Sequence, residues 1–134
     1  MLFHKVVLDT NVLISAIVFG GKSEKVLEHC VEHSEIYISD WIADELKQKL
    51  KVKFDFTSAE VKEAIKLIES EFNSHNPTNK LPTVCRDKDD NHILQLADDV
   101  EADFIITGDK DLLVLKKFNA VRIISPADYL VEVS

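Results

Sequence analysis

The sequence predicts an α/β fold in which a central parallel sheet carries helices on both faces, and three features predict it. Short uninterrupted apolar runs, Val6-Val7-Leu8 and Phe104-Ile105-Ile106, read as strands buried on both sides. Longer stretches repeat apolar residues every three or four positions, the period of a helix with one buried face. The two patterns alternate along the chain, as they do where parallel strands are joined by crossover helices.

The elements follow in order. The first apolar run leads straight into Asp9, so the first strand ends there. A helix over 12–19 follows and stops near Gly20-Gly21; Ser23 is then expected to cap a second helix with Val26, Leu27, Cys30 and Val31 inward. Residues 35–39 form a short strand in which Ile36 and Ile38 alternate. A third helix over about 40–51 carries Ile42, Leu46 and Leu50 at four-residue spacing. Thr57-Ser58-Ala59-Glu60 has the reciprocal capping-box pattern and opens a fourth helix with Val61, Ile65, Ile68 and Phe72 along one stripe.

Residues 73–80 are polar, include Pro77 and are expected to be a loop; residues 81–85 read as a brief extended segment. An acid-rich turn over 87–91, with Asp89 as its cap, leads into a helix that buries Ile93, Leu94, Ala97 and Val100. Residues 102–107 form a strong strand. Gly108 is expected to permit a turn that a Cβ would resist, before a short helix over 112–118. Residues 121–124 make the last strand, and Ser125-Pro126 caps a final helix at the position where proline's missing N–H costs nothing.

Composition bounds the function. At 134 residues, 46% of them hydrophobic and only three proline, the chain reads as one folded domain over 1–134. Its apolar start is broken by Asp9, Thr10 and Asn11 and lacks a basic lead-in, so neither a membrane span nor a secretory signal is expected. Cys30 and Cys85 stand apart with no pairing motif, which suits a reducing cytoplasm. A formal net charge of −8 is a poor footprint for sequence-independent nucleic-acid binding. Most of the acids serve solubility, but acids clustered around divalent cations would attract phosphate rather than repel it.

Position selects among the 24 acids. Asp9 closes the first strand, and Asp109 and Asp111 follow the strand that ends at Thr107, so two strands deliver carboxylates to one edge. That edge is where open α/β sheets keep their ligand crevice. On the third helix, Glu45 lies roughly 100° from the centre of the buried face and Asp44 roughly 160° away, which favours Glu45. The alternative is a surface glutamate paired with Lys49 at i+4, a contact worth only about 0.2–0.5 kcal/mol. Among Asp87, Asp89 and Asp90, the same geometry favours Asp90, one turn before Ile93 and Leu94. A calcium-loop reading of this stretch fails because His92 stands where the loop needs glycine.

Asp9, Glu45, Asp90 and Asp109 would thus converge, and like charges that close need cations between them. Hard oxygen ligands select Mg²⁺ or Mn²⁺ over zinc. Such ions activate water and stabilise the leaving oxygen of a phosphodiester.

Four ordered motifs carry a family resemblance across nearly the whole chain. Asp9-Thr10-Asn11-Val12 after a hydrophobic strand, Glu45-Leu46 in a helix, Arg86-Asp87-Lys88-Asp89-Asp90-Asn91, and Thr107-Gly108-Asp109-Lys110-Asp111-Leu112-Leu113 resemble PIN-domain ribonucleases. The last two resemble most the toxin components of bacterial and archaeal toxin–antitoxin pairs, akin to the VapC group. The resemblance implies a three-layer α/β/α sandwich and a metal-dependent endoribonuclease acting on RNA. It implies that Asp9, Glu45, Asp90 and Asp109 bind the metal, that Asp111 is an accessory acid, and that Asn11 and Thr107 support the site by hydrogen bonds. A cognate antitoxin protein and a homodimer are implied as well.

Other signals weigh less. His29-Cys30-Val31-Glu32-His33 matches the H-x-x-E-H string of some zinc peptidases, but the helix phase turns His29 and Glu32 outward and offers no third ligand. Trp41 is expected in the core or at an interface, and His4, His75 and His92 are isolated. Lys47, Lys49, Lys51 and Lys53 form a basic run near Glu45, read either as a solvated helix face or as a grip on an RNA backbone. Two other functions stay open at this point: a non-catalytic partner-docking module, and a metal-dependent phosphatase of small substrates.

Overall fold

The computed structural model describes residues 3–134. In chain order the elements are β1 (His4–Leu8), α1 (Thr10–Val18), α2 (Gly21–His33), β2 (Ser34–Ile38), α3 (Asp40–Lys53), α4 (Ser58–Glu71), β3 (Asn73–Ser74), α5 (Asp90–Asp99), β4 (Phe104–Ile106), α6 (Lys110–Leu113), β5 (Lys117–Phe118), β6 (Val121–Ile124) and α7 (Pro126–Val133). The six strands form one sheet in the order β3-β2-β1-β4-β6-β5, parallel except for β5. The α/β class and the mainly parallel sheet are as the alternating patterns predict.

From β1 the chain steps outward one way to β2 and β3, then returns through α5 to β4 on the other side. Right-handed crossovers taken in opposite directions put α5 on the face opposite α1 and α2. The order reverses between β1 and β4, and their carboxyl ends open the crevice there. Val6, Val7, Ile105 and Ile106 are fully buried, so the polar residues that follow them start from the centre of the core.

Each helix buries the stripe its spacing predicts. Ile42, Leu46 and Leu50 of α3 are wholly buried, and Ser39 caps the helix by accepting from the Ile42 N–H at 3.2 Å. The capping box of α4 is complete: Thr57 and Glu60 accept reciprocally from each other's amides. Ser125 caps α7 with Pro126 at its first turn. Trp41 is half-buried and stacks on His92, centroids 4.1 Å apart, joining α3 to α5. Among the described residues no helix is long and apolar enough to cross a membrane.

Several boundaries differ from the sequence expectation, each for a backbone reason. Ser23 does not cap α2; the helix begins two residues earlier behind Gly20, whose φ of 75° lets the chain reverse, and Ser23 is buried. The polar stretch after α4 is not all loop. Asn73 and Ser74 pair with β2, and the His75 N–H reaches the Ile38 carbonyl at 2.9 Å, since a sheet edge needs backbone groups and not apolar side chains. Residues 81–85 join no strand; the Cys85 N–H bonds instead to the Asn91 side chain at 3.0 Å.

The helix expected over 112–118 is α6, earlier and shorter. It ends at Leu113 with Val114 as its C-cap, and Lys116, at a φ of 62°, then turns the chain back as β5 against β6. Gly108 has no positive φ and open space where a Cβ would stand, so that turn does not require glycine. His29 is half-buried rather than outward, its Nδ1 2.9 Å from the Tyr129 hydroxyl of α7. Burial lowers its proton affinity, with His33 adding to the effect. The H-x-x-E-H string is therefore a packing contact between α2 and α7.

Leu46 sits beside Glu45 and, wholly buried, seats α3 on the core. Leu46→Ala is expected to cost about 2–5 kcal/mol of unfolding free energy, measured by urea denaturation; a loss under about 1 kcal/mol would contradict the packing described.

Candidate metal centre

β1 ends at the crevice, so Asp9 follows it with only 4% of its surface exposed. Its amide continues the ladder to β4 by bonding the Ile106 carbonyl at 3.0 Å, and its own carbonyl takes the first amides of α1, from Val12 and Leu13. The backbone is thus fixed on both sides. The carboxylate is fixed as well: the Thr107 hydroxyl, at the end of β4, donates to Asp9 Oδ2 at 2.7 Å. Thr107 Oγ1 in turn accepts from the Asp109 amide at 3.0 Å. One hydroxyl therefore sets the spacing of two acids from neighbouring strands.

Asp109 caps α6, its Oδ1 accepting from the Asp111 amide at 2.8 Å. α5 runs back against the strand direction, so its N-terminus comes to the same edge and Asp90 is its first residue. Asp90 is 6% exposed, and its Oδ2 is buried with no hydrogen-bond partner. Asp87, on the turn before α5, completes the group: one carboxylate oxygen from each of Asp87, Asp90 and Asp109 lies within 4.8 Å of the others. Such a set could hold a metal ion, and a residue of it with a buried, unpartnered carboxylate oxygen fits a hard divalent cation.

The electrostatics report the same crowding. Burial, followed by the Asp109 carboxylate and then the charges of Asp9 and Asp87, pushes Asp90 up to about 8. Asp9 is also raised, by burial first, with Asp109 and Glu45 adding to it and Thr107 opposing. Cys85 borders the cluster; burial first, then Asp90, Asp109, Asp111 and Asp87, push its thiol up to about 11. That thiol is no nucleophile at neutral pH.

The other residues singled out by sequence fall as follows. Glu45 is on the same edge, close enough for Asp9 to feel its charge, and its Oε1 is 3.9 Å from Lys49 Nζ. Lys49 also donates to Asn11 Oδ1 at 3.2 Å, so Asn11, Glu45 and Lys49 form one side of the crevice. Asp9 and Glu45 lie outside the tight three-acid set, and Asp111 stands near Cys85. Asp87 was not selected by the helix phase because it precedes the helix. Its carboxylate instead bonds the Asp89 amide at 3.0 Å, while Asp89 makes no side-chain cap. The signal available was its three-residue offset from Asp90, one turn of chain.

The chain and its fold are similar to known proteins. The PIN domain family matches residues 5–111. An uncharacterized protein of Methanocaldococcus jannaschii, MJ1680, is 37% identical over an alignment 122 residues long that covers 86% of this chain and 77% of that protein. The structure of VapBC2 from Rickettsia felis, bound to a DNA fragment from their promoter, is similar with a TM-score of 0.67 at 14% identity, covering 90% of this chain and 98% of that one. The PIN domain endonuclease Utp24 gives 0.58 at 21% identity, with 90% and 84% covered. PAE2754 from Pyrobaculum aerophilum gives 0.59 at 17%, with 97% and 88% covered. At these identities the solved structures speak for the fold, while the family match spans most of the sequence: the chain belongs to the PIN domain family.

Proposed function

We propose that this protein is a metal-dependent endoribonuclease that hydrolyses RNA phosphodiester bonds, and that it serves as the toxin of a toxin–antitoxin pair. The observation that carries the reading is the three-acid group of Asp87, Asp90 and Asp109, in which Asp90 keeps a buried oxygen without a hydrogen-bond partner, beside the buried Asp9. Asp9, Glu45, Asp90 and Asp109 are the proposed catalytic and metal-holding residues, with Asp87 added by the geometry and Asp111 as an accessory acid. Mg²⁺ or Mn²⁺ held there would supply Lewis-acid stabilisation of the charge that develops on phosphodiester oxygens.

The chain's own residues do the rest. The Thr107 hydroxyl orients Asp9 by donating to its Oδ2 at 2.7 Å. Asn11 and Lys49 hold the Glu45 side of the crevice, and Lys49 offers the edge a positive charge for a phosphate. The toxin role draws on the fold shared with VapBC2 and on a groove between α3 and α4. That groove, about 730 Å³, has Val61 and Ile65 in its lining and suits an antitoxin segment. The remaining parts of the proposal are a single nuclease domain over 1–134, a homodimer and a cytoplasmic setting.

Asp9→Asn is expected to lower Mg²⁺- or Mn²⁺-dependent cleavage of RNA by about 10²-fold or more while its far-UV circular dichroism stays that of the wild type. Full activity in that folded variant, or wild-type cleavage that persists in excess chelator, would sink the proposal. Thr107→Val, which removes the hydroxyl and keeps the shape, should slow cleavage about tenfold through misplacement of Asp9, and Thr107→Ser should restore most of it.

Metal-free stability gives a second check. Asp90 binds its proton up to about pH 8 in the folded chain and only to 3.8 ordinarily, so the native state holds a proton that the unfolded state has released between those limits. The stability it contributes is complete below about pH 4 and is lost as pH rises through 8. The melting temperature of the metal-free wild type should therefore fall from pH 5 to 9 more steeply than that of Asp90→Asn. At pH 8, Mn²⁺ at about a hundred times its dissociation constant should stabilise the wild type by about 2.7 kcal/mol. An equal response from Asp90→Asn would show that the ion binds elsewhere.

A further inference from the structure

Next to the acidic edge, α1 and α3 border a second, smaller cavity of about 230 Å³. Phe19, Phe54, Lys49 and Lys53 line it, and Asn11 forms its border with the crevice. Lys49 belongs to both, through its contacts with Asn11 Oδ1 at 3.2 Å and Glu45 Oε1 at 3.9 Å. In a chain of net charge −8, the described lining carries two lysines and no carboxylate. Phe19 is 72% exposed, and its ring meets Phe54 edge to face with centroids 5.8 Å apart. Stability does not call for an aromatic there, because so exposed a ring removes little area from water. The ring is propped by Phe54 and left open to solvent.

We infer that this cavity is a subsite for one unpaired base of a single-stranded RNA, stacked on Phe19, with the flanking phosphates on Lys49 and Lys53. An aromatic platform beside cations that track the backbone is how single strands are held without reading base edges. A base inside a duplex keeps its faces against its neighbours and offers none to Phe19, so the subsite selects unpaired RNA. The volume lies below the roughly 300–1,000 Å³ of whole-ligand pockets and suits one planar group rather than a protein helix. The inference rests on the ribonuclease reading of the acidic edge, since Lys49 and Asn11 tie the subsite to the scissile phosphate.

The test is steady-state cleavage of an unstructured RNA oligonucleotide with Mn²⁺ by the full chain and by Phe19→Ala, Phe19→Leu and Phe19→Trp. Alanine and leucine should each raise KM about tenfold with kcat within about twofold, and tryptophan should restore KM. The wild type should cleave the same oligonucleotide far more slowly once it is annealed to its complement. Val131→Ala, at a residue 76% exposed on α7, should leave both constants unchanged.

An unchanged KM in the alanine and leucine variants, with the wild type active, overturns the subsite and leaves the nuclease reading intact. Equal cleavage of the duplex does the same, as does a leucine variant that matches the wild type, since leucine covers area but cannot stack. A sedimentation shift from dimer to monomer in Phe19→Ala overturns it in favour of a contact with a second copy of the chain. No metal-dependent cleavage by the wild type overturns the nuclease reading and the subsite with it.

Discussion

The hydrogen bond from the Thr107 hydroxyl to the Asp9 carboxylate, 2.7 Å long and buried, joins the ends of β1 and β4 where the strand order reverses. Two of the crevice's acids are spaced from it. The same hydroxyl accepts the Asp109 amide, so Asp109 stands at a fixed distance from Asp9. β1 and β4 are parallel and fully buried at their centres, which leaves these residues no freedom to splay apart. The arrangement forces like charges together, and a buried carboxylate without a partner costs several kcal/mol of desolvation. An acidic edge is therefore a cost to the metal-free fold that a divalent cation would offset.

That conflict explains why the site was partly legible before the structure. A charge at the end of an apolar strand violates the pattern around it, and such violations concentrate where a protein binds something. Asp9 and Asp109 were visible for this reason, each directly after a buried run. Glu45 and Asp90 were visible through helix phase, because Leu46 and Ile93 next to the core fix which way their neighbours turn. Asp87 was not, since it belongs to a turn and phase arguments stop at a helix boundary. Its position is set by backbone bonds, the Asp89 amide to its carboxylate and the Asp90 amide to its carbonyl, which no spacing rule encodes.

The fold divides along the same line. Elements buried on a stripe, such as α3 and α4, matched closely because hydrophobic period is written in side chains. The two-residue strands β3 and β5 escaped notice because they are made by backbone pairing at sheet edges, where Asn73, Ser74 and Lys117 are exposed. Left-handed residues had the same effect: Lys116 turns the chain into β5 through its φ of 62°, a conformation lysine rarely adopts and composition does not advertise. Gly108, conversely, looked like a required turn and is not one.

The lysine run of α3 shows what a helix does to a sequence that looks uniform. Lys47 and Lys51 are one turn apart and face α4, where they border the α3–α4 groove. Lys49 and Lys53, offset by roughly 200° of helix, face α1 and line the small cavity beside Glu45 and Asn11. One basic run thus becomes two surfaces, and neither alters the acidic character of the whole chain. A net charge of −8 argues against long-range attraction of nucleic acid, yet the Debye length of about 8 Å at physiological salt makes only nearby charges matter to a bound phosphate. Within that radius Lys49 has the Glu45 carboxylate at 3.9 Å, while the cavity it lines with Lys53 carries no described carboxylate in its wall. Any phosphate bound here would meet the local charges, set by which face each lysine occupies, before the total.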